Sequence, residues 1–243
     1  GLAAKLLQSR LEDHFGFEIL GSFVLHAPRD VLDAQMPEVF RVLFDRMQMR
    51  PTPKFARLLA LFIASLLARH GAVYFEQLME RIQPGMTAMV LEQIVMPVVS
   101  KVTGNLERKA CAVGLSNAIQ DSSALLNHNN GVLWAMCVLQ CLSLLHLEAD
   151  RDEEAVAMVA AEQNASVDEL RNAAVEESGI GSKFVQLASC VNPPEDPCGS
   201  VSDARSFFKA AIKSIVDTRA QEARMLLQTN LPPQAFSKLQ EYF

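Results

Sequence analysis

Apolar residues recur along most of this chain with the spacing of a helix turn. The clearest stripe lies in 53–70. Its apolar residues follow the i, i+3, i+4, i+7 spacing of a helix, and they are Phe55, Leu58, Leu59, Phe62, Ile63, Leu66 and Leu67. Thr52 is suited to cap such a helix, Pro53 fits its first position, and Gly71 is suited to end it. The pattern predicts an amphipathic helix over 53–70, and further apolar residues opposite the stripe indicate packing on more than one side.

The same period predicts helices over much of the remaining chain. The predicted segments are 14–27, 31–36, 37–49, 73–82, 86–102, 106–120, 132–147, 203–219 and 232–242. Because proline lacks a backbone N–H, we expect Pro97 to kink or break the helix in which it falls. We hypothesise that this kink contributes to the curvature of a larger assembly, and a Pro97→Ala variant with unchanged shape and stability would count against it.

Short turns separate these segments, which favours pairing of neighbours. The pairs are 14–27 with 31–50, 53–70 with 73–102, and 106–120 with 132–147. A unit of this length is close to the roughly 40–47 residues of HEAT and armadillo repeats. Each pair would expose an apolar face alone, and stacking covers it. The sequence therefore predicts an all-α fold, a HEAT-repeat-like α-solenoid of stacked antiparallel helix pairs.

One stretch interrupts this succession of helix pairs. Residues 148–154 read Glu-Ala-Asp-Arg-Asp-Glu-Glu, and the chain beyond them is rich in Ala and Glu. We interpret 1–148 as HEAT-like helix pairs, 149–170 as an acidic insertion loop, and 171–243 as C-terminal helical repeats that continue the first part.

Composition limits the possible partners. The formal net charge is −6, and no run of Lys or Arg is present, which does not favour nucleic-acid binding. The longest apolar run, 58–68, is much shorter than the roughly 20 residues of a membrane span. Five cysteines without a CxxC pair are typical of a reduced, intracellular protein. The sequence begins Gly1-Leu2 without Met, so we expect it to be part of a longer chain.

Candidate chemistry is scarce. The sequence has no GxSxG, HExxH or P-loop pattern, so we predict neither an enzyme nor a cofactor. Cys137 and Cys141 lie one helix turn apart and, with His146, could suggest a metal. Zinc usually takes four ligands, and we interpret the cysteines as a buried stripe instead. His70 lies near a predicted helix end, where a surface or capping role is expected.

The middle of the chain carries a more specific signal. Residues 82–115 read IQPGMTAMVLEQIVMPVVSKVTGNLERKACAVGL. This run resembles the C-terminal region of the CAS exportins, the importin-α re-exporters of the importin-β superfamily. HFGFEILGSFVLHAP at 14–28 and KFARLLALFIASLLARHGA at 54–72 resemble the preceding segments, and GSKFVQLAS at 181–189 and the 203–243 end match more loosely. Residues 149–175 depart from the family, since the acidic loop is diluted here with alanine.

The resemblance implies a function without chemistry in the receptor. Members of this family are HEAT-repeat arches that bind importin-α with Ran-GTP in the nucleus and release it when GTP is hydrolysed. The implied partners are importin-α and Ran-GTP, the latter mainly through N-terminal repeats, with no nucleic acid and no membrane. The implied location is nucleus and cytoplasm, with shuttling between them. The alternative is a static HEAT-repeat scaffold, and nucleotide dependence of binding separates the two.

Candidate contact residues follow by analogy with the importin-β arch, whose inner face is lined by the second helix of each pair. The partner-binding candidates are Asp45, Arg46, Arg50, Glu92, Lys101, Asp150, Asp152, Glu153 and Glu154. The last four belong to the acidic cluster, which would suit a basic partner. Charge reversal at Arg46 and Arg50 that leaves importin-α binding unchanged would contradict this assignment.

Overall fold

Helices make up most of what the structure describes. The computed structural model describes residues 2–126, 130–161 and 195–242, and no strand occurs in those ranges. The helices are α1 Leu2–Gln8, α2 Asp13–His26, α3 Arg29–Met49, α4 Pro53–His70, α5 Ala72–Ile82, α6 Met86–Val90, α7 Met96–Val99, α8 Asn105–Asp121, α9 Gly131–Ala161, α10 Ala204–Asn230 and α11 Pro233–Leu239. Leu91–Val95 forms a π-helical turn between α6 and α7, and Gln240–Tyr242 is a 3₁₀ turn.

Helix α4 forms as its sequence predicts. The Phe55 backbone N–H donates to the Thr52 hydroxyl oxygen at 3.2 Å, and Pro53 occupies the first helical position. Gly71 follows with a φ of 82°, a left-handed value that glycine tolerates, and its N–H donates to the Leu67 carbonyl. Because α5 begins at the next residue, this glycine makes a tight turn between the two helices.

Helix α3 corrects one sequence prediction. The pattern predicts separate helices over 31–36 and 37–49, whereas one helix runs through Pro37. A proline in a helix leaves the carbonyl four residues earlier without its usual donor. Here that carbonyl belongs to Asp33, and the Arg81 guanidinium of α5 donates to it at 3.4 Å. The neighbouring helix thus replaces the hydrogen bond that Pro37 cannot make.

Pro97 is accommodated differently. The helix continues to Val99, and the turn immediately before the proline, Leu91–Val95, widens from α to π geometry. A π turn closes its hydrogen bonds one residue further along, and such turns accompany helix kinks. The expected disturbance therefore takes the form of a widened turn, while its role in curvature stays a prediction.

Contacts between helices define two layers. In one layer, α2 packs on α4, α4 on α8, and α8 on α10; in the other, α3 packs on α5. The direction of α4 relative to α8 follows from two contacts: Arg57 pairs with Glu107 at 2.8 Å, and the Asn117 side chain donates to the Leu67 carbonyl at 2.9 Å. Since both partners advance together along the chain, the two helices are parallel within their layer.

The helix pairs between the layers are antiparallel, as α8 and α9 show. The Trp134 indole N–H donates to the Ile119 carbonyl at 3.0 Å, and the Cys141 thiol approaches the Ala112 carbonyl at 3.7 Å. Later residues of α9 thus contact earlier residues of α8, so the two helices run antiparallel. Cys137 and Cys141 are fully buried, which confirms the predicted core stripe. Burial raises the pKa of Cys137 to about 12, so its thiol stays protonated near neutral pH.

Close approach of α4 and α8 depends on one glycine. A Cβ atom at Gly114 would lie 2.6 Å from the Ala64 carbonyl oxygen and 3.2 Å from the Leu67 Cβ atom. Around this position most of the residues of α4 and α8 are apolar and buried. Gly114 therefore sets the distance at which these two neighbours in the layer pack.

Phenylalanine rings fill the space between the first two helix pairs. Phe40 of α3 is fully buried, and its ring centroid lies 5.4–6.2 Å from those of Phe44, Phe62 and Phe75. These distances are within the favourable range for aromatic pairs. Because the four rings come from α3, α4 and α5, this cluster joins both layers.

The acidic segment differs in secondary structure from its prediction. Residues 149–161 continue helix α9, where the sequence analysis expects a loop. Alanine and glutamate are strong helix formers, and no Gly or Pro interrupts this stretch. Contacts divide the chain into one unit of 1–145 with 196–243 and a second unit of 146–195, of which the helix to Ala161 and Glu195 are described. That 149–170 is an insertion between repeats stays a prediction.

Candidate partner-binding surfaces

The structure brings three predicted contact residues together at the end of α3. A pocket of about 320 Å³ is lined by Asp45, Arg46 and Arg50, with Gln8 of α1 and Met49. Met49 is 79% exposed, and Asp45 and Arg50 also lie on the surface. The pocket therefore combines an exposed apolar side chain with an accessible carboxylate and an accessible guanidinium, which is suited to a protein partner.

Arg46 has a more structural position than its neighbours. It is only 5% exposed, and its guanidinium lies 4.8 Å from the centre of the Phe55 ring. It also donates a hydrogen bond to the backbone carbonyl of Arg50, the residue that directly follows α3. Arg46 therefore stabilises the α3 terminus, and Asp45 and Arg50 are the members of this group that solvent reaches.

The remaining predicted contacts lie elsewhere in the chain. Glu92 is exposed on the π turn, and Lys101 is exposed just after α7. Neither lines the pocket at the end of α3. The acidic residues of the cluster fall on the α9 backbone, and their side chains are outside the described part of the chain; they are Asp150, Asp152, Glu153 and Glu154.

A second pocket, which the sequence analysis missed, lies between α5 and the end of α8. It has a volume of about 560 Å³, and its charged lining residues are Glu76, Glu80, Arg81 and Asp121. The Glu76 carboxylate is committed to the fold, because the Ser123 and Ala124 backbone N–H groups both donate to it at 3.0 Å. Helical periodicity could not reveal this pocket, since residues on its two walls are forty or more positions apart in sequence.

A third pocket lies on α10, and its lining is mainly cationic, whereas the lining of the second pocket is mainly acidic. Lys209, Lys213 and Arg224 line a volume of about 320 Å³ together with Asp217. The helix departs from α geometry at Arg219, with φ −137° and ψ 45°, so it is kinked inside this stretch. The sequence analysis predicts the helix only to 219, and the structure continues it beyond the kink to Asn230.

His70 joins three helices near one end of the stack. Its Nε2 lies 2.9 Å from the Val24 carbonyl oxygen, which assigns the proton to that nitrogen, and its Nδ1 lies 3.5 Å from the Arg29 guanidinium. Partial burial is the main cause that lowers the pKa of His70, and the hydrogen bond to the Val24 carbonyl raises it again in part. The cations of Arg29 and Arg69 also lower this pKa, whereas the Asp33 carboxylate raises it.

This environment predicts a pH-dependent stability. Because the folded-state pKa of His70 lies below the unfolded value near 6.5, the neutral form is favoured in the fold. The resulting stabilisation is present above that value and is lost as pH falls towards the folded pKa. We expect the free energy of unfolding, measured in denaturant from pH 8 to pH 5, to fall less steeply in a His70→Gln variant than in the unmodified chain. Parallel curves for the two proteins would contradict this role.

Two searches over the described residues concern other classes of site. In the ranges that the structure covers, no group of three or more His, Cys, Asp or Glu side chains is placed to hold a metal ion. No single helix there has the length and apolarity to cross a membrane. The bent pair Ala72–Ile82 and Met86–Val99, at 107°, meets those criteria only when its two parts are counted together.

Comparison with known proteins gives one consistent result. The family described as CAS/CSE protein, C-terminus, matches residues 1–242. Exportin-2 of Danio rerio is 30% identical and Exportin-2 of Homo sapiens 28% identical, each over the whole of this chain and 24% of the relative. The chain thus spans about a quarter of the length of these curated relatives.

A solved structure shares the fold. The exportin Cse1 in its cargo-free, cytoplasmic state matches with a TM-score of 0.72 at 14% identity, over 100% of this chain and 23% of that one. At this identity the likeness concerns architecture. Together with the parallel layers and antiparallel pairs, it confirms the predicted all-α, HEAT-repeat-like solenoid.

Proposed function

Because this chain belongs to the family of CAS/CSE protein C-termini, we propose that it is the cargo-side C-terminal portion of a nuclear export receptor. The receptor returns importin-α to the cytoplasm in a complex that also contains Ran-GTP, and it shuttles between nucleus and cytoplasm. The observation that carries the proposal is the family match over residues 1–242. Exportin-2 relatives that cover the whole chain support it.

The architecture is compatible with a transport receptor that performs no chemistry. Stacked repeats contact mainly their neighbours, so small changes in angle between successive pairs add up along an array. A receptor built in this way can close around cargo and open again without a catalytic residue. The energy for release then comes from GTP hydrolysis on Ran, in keeping with the absence of recognisable catalytic motifs in the sequence.

We place a candidate cargo contact at the α3 pocket. Asp45 and Arg50 are both exposed there, and the exposed apolar Met49 lines the same pocket. Interfaces combine such apolar anchors with charged rims that select the partner. Lys101 and Glu92, on the following helix pair, are secondary candidates, and the acidic cluster 150–154 suits basic segments of cargo.

Ran-dependent coupling is the test of the proposed function. We expect the longer chain that contains this sequence to bind importin-α more tightly when GTP-loaded Ran is present, by about 1–3 kcal/mol or more, as is typical of linked binding. Isothermal titration calorimetry of importin-α, with and without Ran-GTP, measures the difference. Equal affinities would support a static HEAT-repeat scaffold, whose binding does not depend on nucleotide.

The α3 pocket gives a second prediction. An Arg50→Glu variant of the longer chain is expected to lose roughly tenfold in importin-α affinity, because truncated or reversed interface charges typically cost on the order of 1.4 kcal/mol or more. Arg41→Glu is a matched control, since Arg41 is also an exposed arginine of α3 but does not line the pocket. Equal losses in both variants would indicate a long-range charge effect, and no loss in either would exclude the pocket as a contact.

A further inference from the structure

Two arginines from different helices bind consecutive carbonyl groups in the middle of α9. The Arg108 guanidinium of α8 donates to the Leu144 carbonyl oxygen, and the Arg205 guanidinium of α10 donates to the Leu145 carbonyl oxygen at 2.8 Å. Helix α9 nevertheless continues to Ala161. A carbonyl inside a helix already accepts from the N–H four residues later, so neither oxygen requires a second donor there. At a helix C-terminus, by contrast, the last carbonyls lack N–H partners, and basic side chains often bind them.

Both arginines are positioned by parts of the stack other than α9. Arg108 is only 2% exposed within α8, where a guanidinium needs hydrogen-bond acceptors to offset its burial. Arg205 lies in the first turn of α10, whose cap is Asp203. The Asp203 carboxylate accepts from the Arg205 and Ser206 backbone N–H groups, each at 3.0 Å. The two donors therefore stay in place whether or not α9 continues beyond them.

The composition of α9 changes at the same place. Residues 131–147 contain no Asp, Glu, Lys or Arg, whereas residues 148–154 contain five acidic residues and one arginine. Glu148 and Asp152 are four positions apart, a spacing at which like charges destabilise a helix. The boundary between the two contact units also falls directly after Leu145. The alanines beyond this point favour a helix and the acidic pairs oppose it, so we expect this part to be near the balance between helix and unwound chain.

The chain returns to the stack beside Arg108. Lys109, the next residue of α8, forms an ion pair with Asp196 at 2.6 Å, and both side chains are largely buried. Helix α8 thus holds the Leu144 carbonyl through one residue and Asp196 through the next. Because these bonds lie at the two ends of the intervening segment, they do not require its first part to be helical.

We propose that α9 has a latent C-terminus at Leu145, where Arg108 and Arg205 cap the helix when the part beyond it unwinds. In this device residues 148–161 alternate between helix and unwound chain, while 131–147 remain helical and packed. Unwinding at this place leaves both leucine carbonyls with a charged donor, so it costs less than unwinding where the carbonyls would be left without one. The inference involves no partner, and it does not depend on the proposed function.

Hydrogen exchange of the 243-residue chain, followed by mass spectrometry, tests for the latent terminus. We expect the amides of 150–161 to exchange at least about a hundredfold faster than those of 135–147. The change in protection should fall between amides 147 and 150, because amide 147 is the last whose acceptor precedes the two capped carbonyls. Uniform protection along α9, or a boundary elsewhere in the helix, would overturn the proposal.

Arg205→Gln tests whether the arginine acts as a cap. In the unwound state Arg205 is the principal donor to the Leu145 carbonyl, so its loss disfavours unwinding more than it disfavours the continuous helix. We therefore expect 150–161 to exchange roughly threefold to tenfold more slowly in this variant. A bond that only stabilises the stack would leave this exchange unchanged and speed that of 135–147, and this result would overturn the assignment.

Lys209→Gln is the matched control for Arg205→Gln. It removes one positive charge from an exposed position one turn further along α10. We expect it to leave the exchange of 150–161 unchanged. Equal slowing by both variants would indicate a long-range effect of charge on the acidic residues and would contradict a specific cap at Leu145.

Asp152→Lys tests whether the two parts of α9 are independent. It places a lysine four positions after Glu148, the favourable order for an ion pair on a helix, so residues 150–161 should exchange more slowly. The exchange of 135–147 should not change, because those amides open only with the packed stack. Parallel slowing of both parts would show that α9 unfolds as one cooperative unit, and the latent terminus would then be excluded.

Discussion

Replacing Gly114 by alanine is expected to destabilise the stack by about 1–3 kcal/mol, the usual cost of overpacking a core. The new methyl group would lie 2.6 Å from the Ala64 carbonyl oxygen. Backbone atoms cannot move aside as a flexible side chain can, so α4 and α8 must separate. Because α8 also packs on α10, the separation would weaken contacts on both flanks. Chemical denaturation followed by circular dichroism measures the loss.

Gly21 provides the matched control for this substitution. It lies inside α2, its φ is not positive, and an added Cβ atom would have nothing within 4 Å. Alanine is a better helix former than glycine, so Gly21→Ala should stabilise the chain by about 0.5–1 kcal/mol. The same chemical change is thus expected to have opposite signs at the two positions. Stabilisation by both substitutions would show that α4 and α8 are not held at the distance described.

Phe40→Ala is expected to cost about 3–5 kcal/mol, the range for a large aromatic side chain removed from a core. Its ring contacts those of Phe44, Phe62 and Phe75, and it has no exposed surface. The cavity would lie between α3, α4 and α5, so neither layer can close over it independently. We expect the denaturation midpoint to fall strongly, and we expect the helical content under native conditions to be retained.

Phe15→Ala in the 243-residue chain is the control for that cavity. Phe15 is 49% exposed, and we expect its truncation to cost less than about 1 kcal/mol. If Phe15→Ala and Phe40→Ala lower the free energy of unfolding by similar amounts, the aromatic cluster contributes no more to the stability of the first two helix pairs than an exposed phenylalanine does. Both variants retain every charged group, so the comparison is not affected by electrostatics.

Local sequence signals are sufficient to predict the ends of a helix where the tertiary packing agrees with them. Thr52, Pro53 and Gly71 define α4 at both ends because a cap, a first-turn proline and a glycine act through their own backbone. Pro37 predicts a helix boundary that does not form, because the compensating donor, Arg81, comes from another helix. The acidic composition of 149–161 suggests a loop, but the helix propensity of its alanine and glutamate residues prevails.

The candidate site could be predicted only in part for a similar reason. Periodicity places Asp45 away from the apolar stripe of α3, Arg50 follows the last residue of the helix, and the structure leaves both exposed. Arg46 follows Asp45 directly in sequence, but it is buried, and the Phe55 ring of the next helix lies beside its guanidinium. The pockets lined by Asp121 and by Arg224 depend on how helices meet or bend, which the spacing of residues within one helix does not report.

The π turn at Leu91–Val95 bears on how chains of this kind can change length during evolution. A π turn is, in effect, an α-helix that has accepted one additional residue. Deleting one residue there would restore regular α geometry, whereas a deletion inside α4 would rotate every later side chain by about 100° and turn its apolar faces out of register. Single-residue gaps among homologous chains should therefore gather at this turn and be rare in α4 and α8.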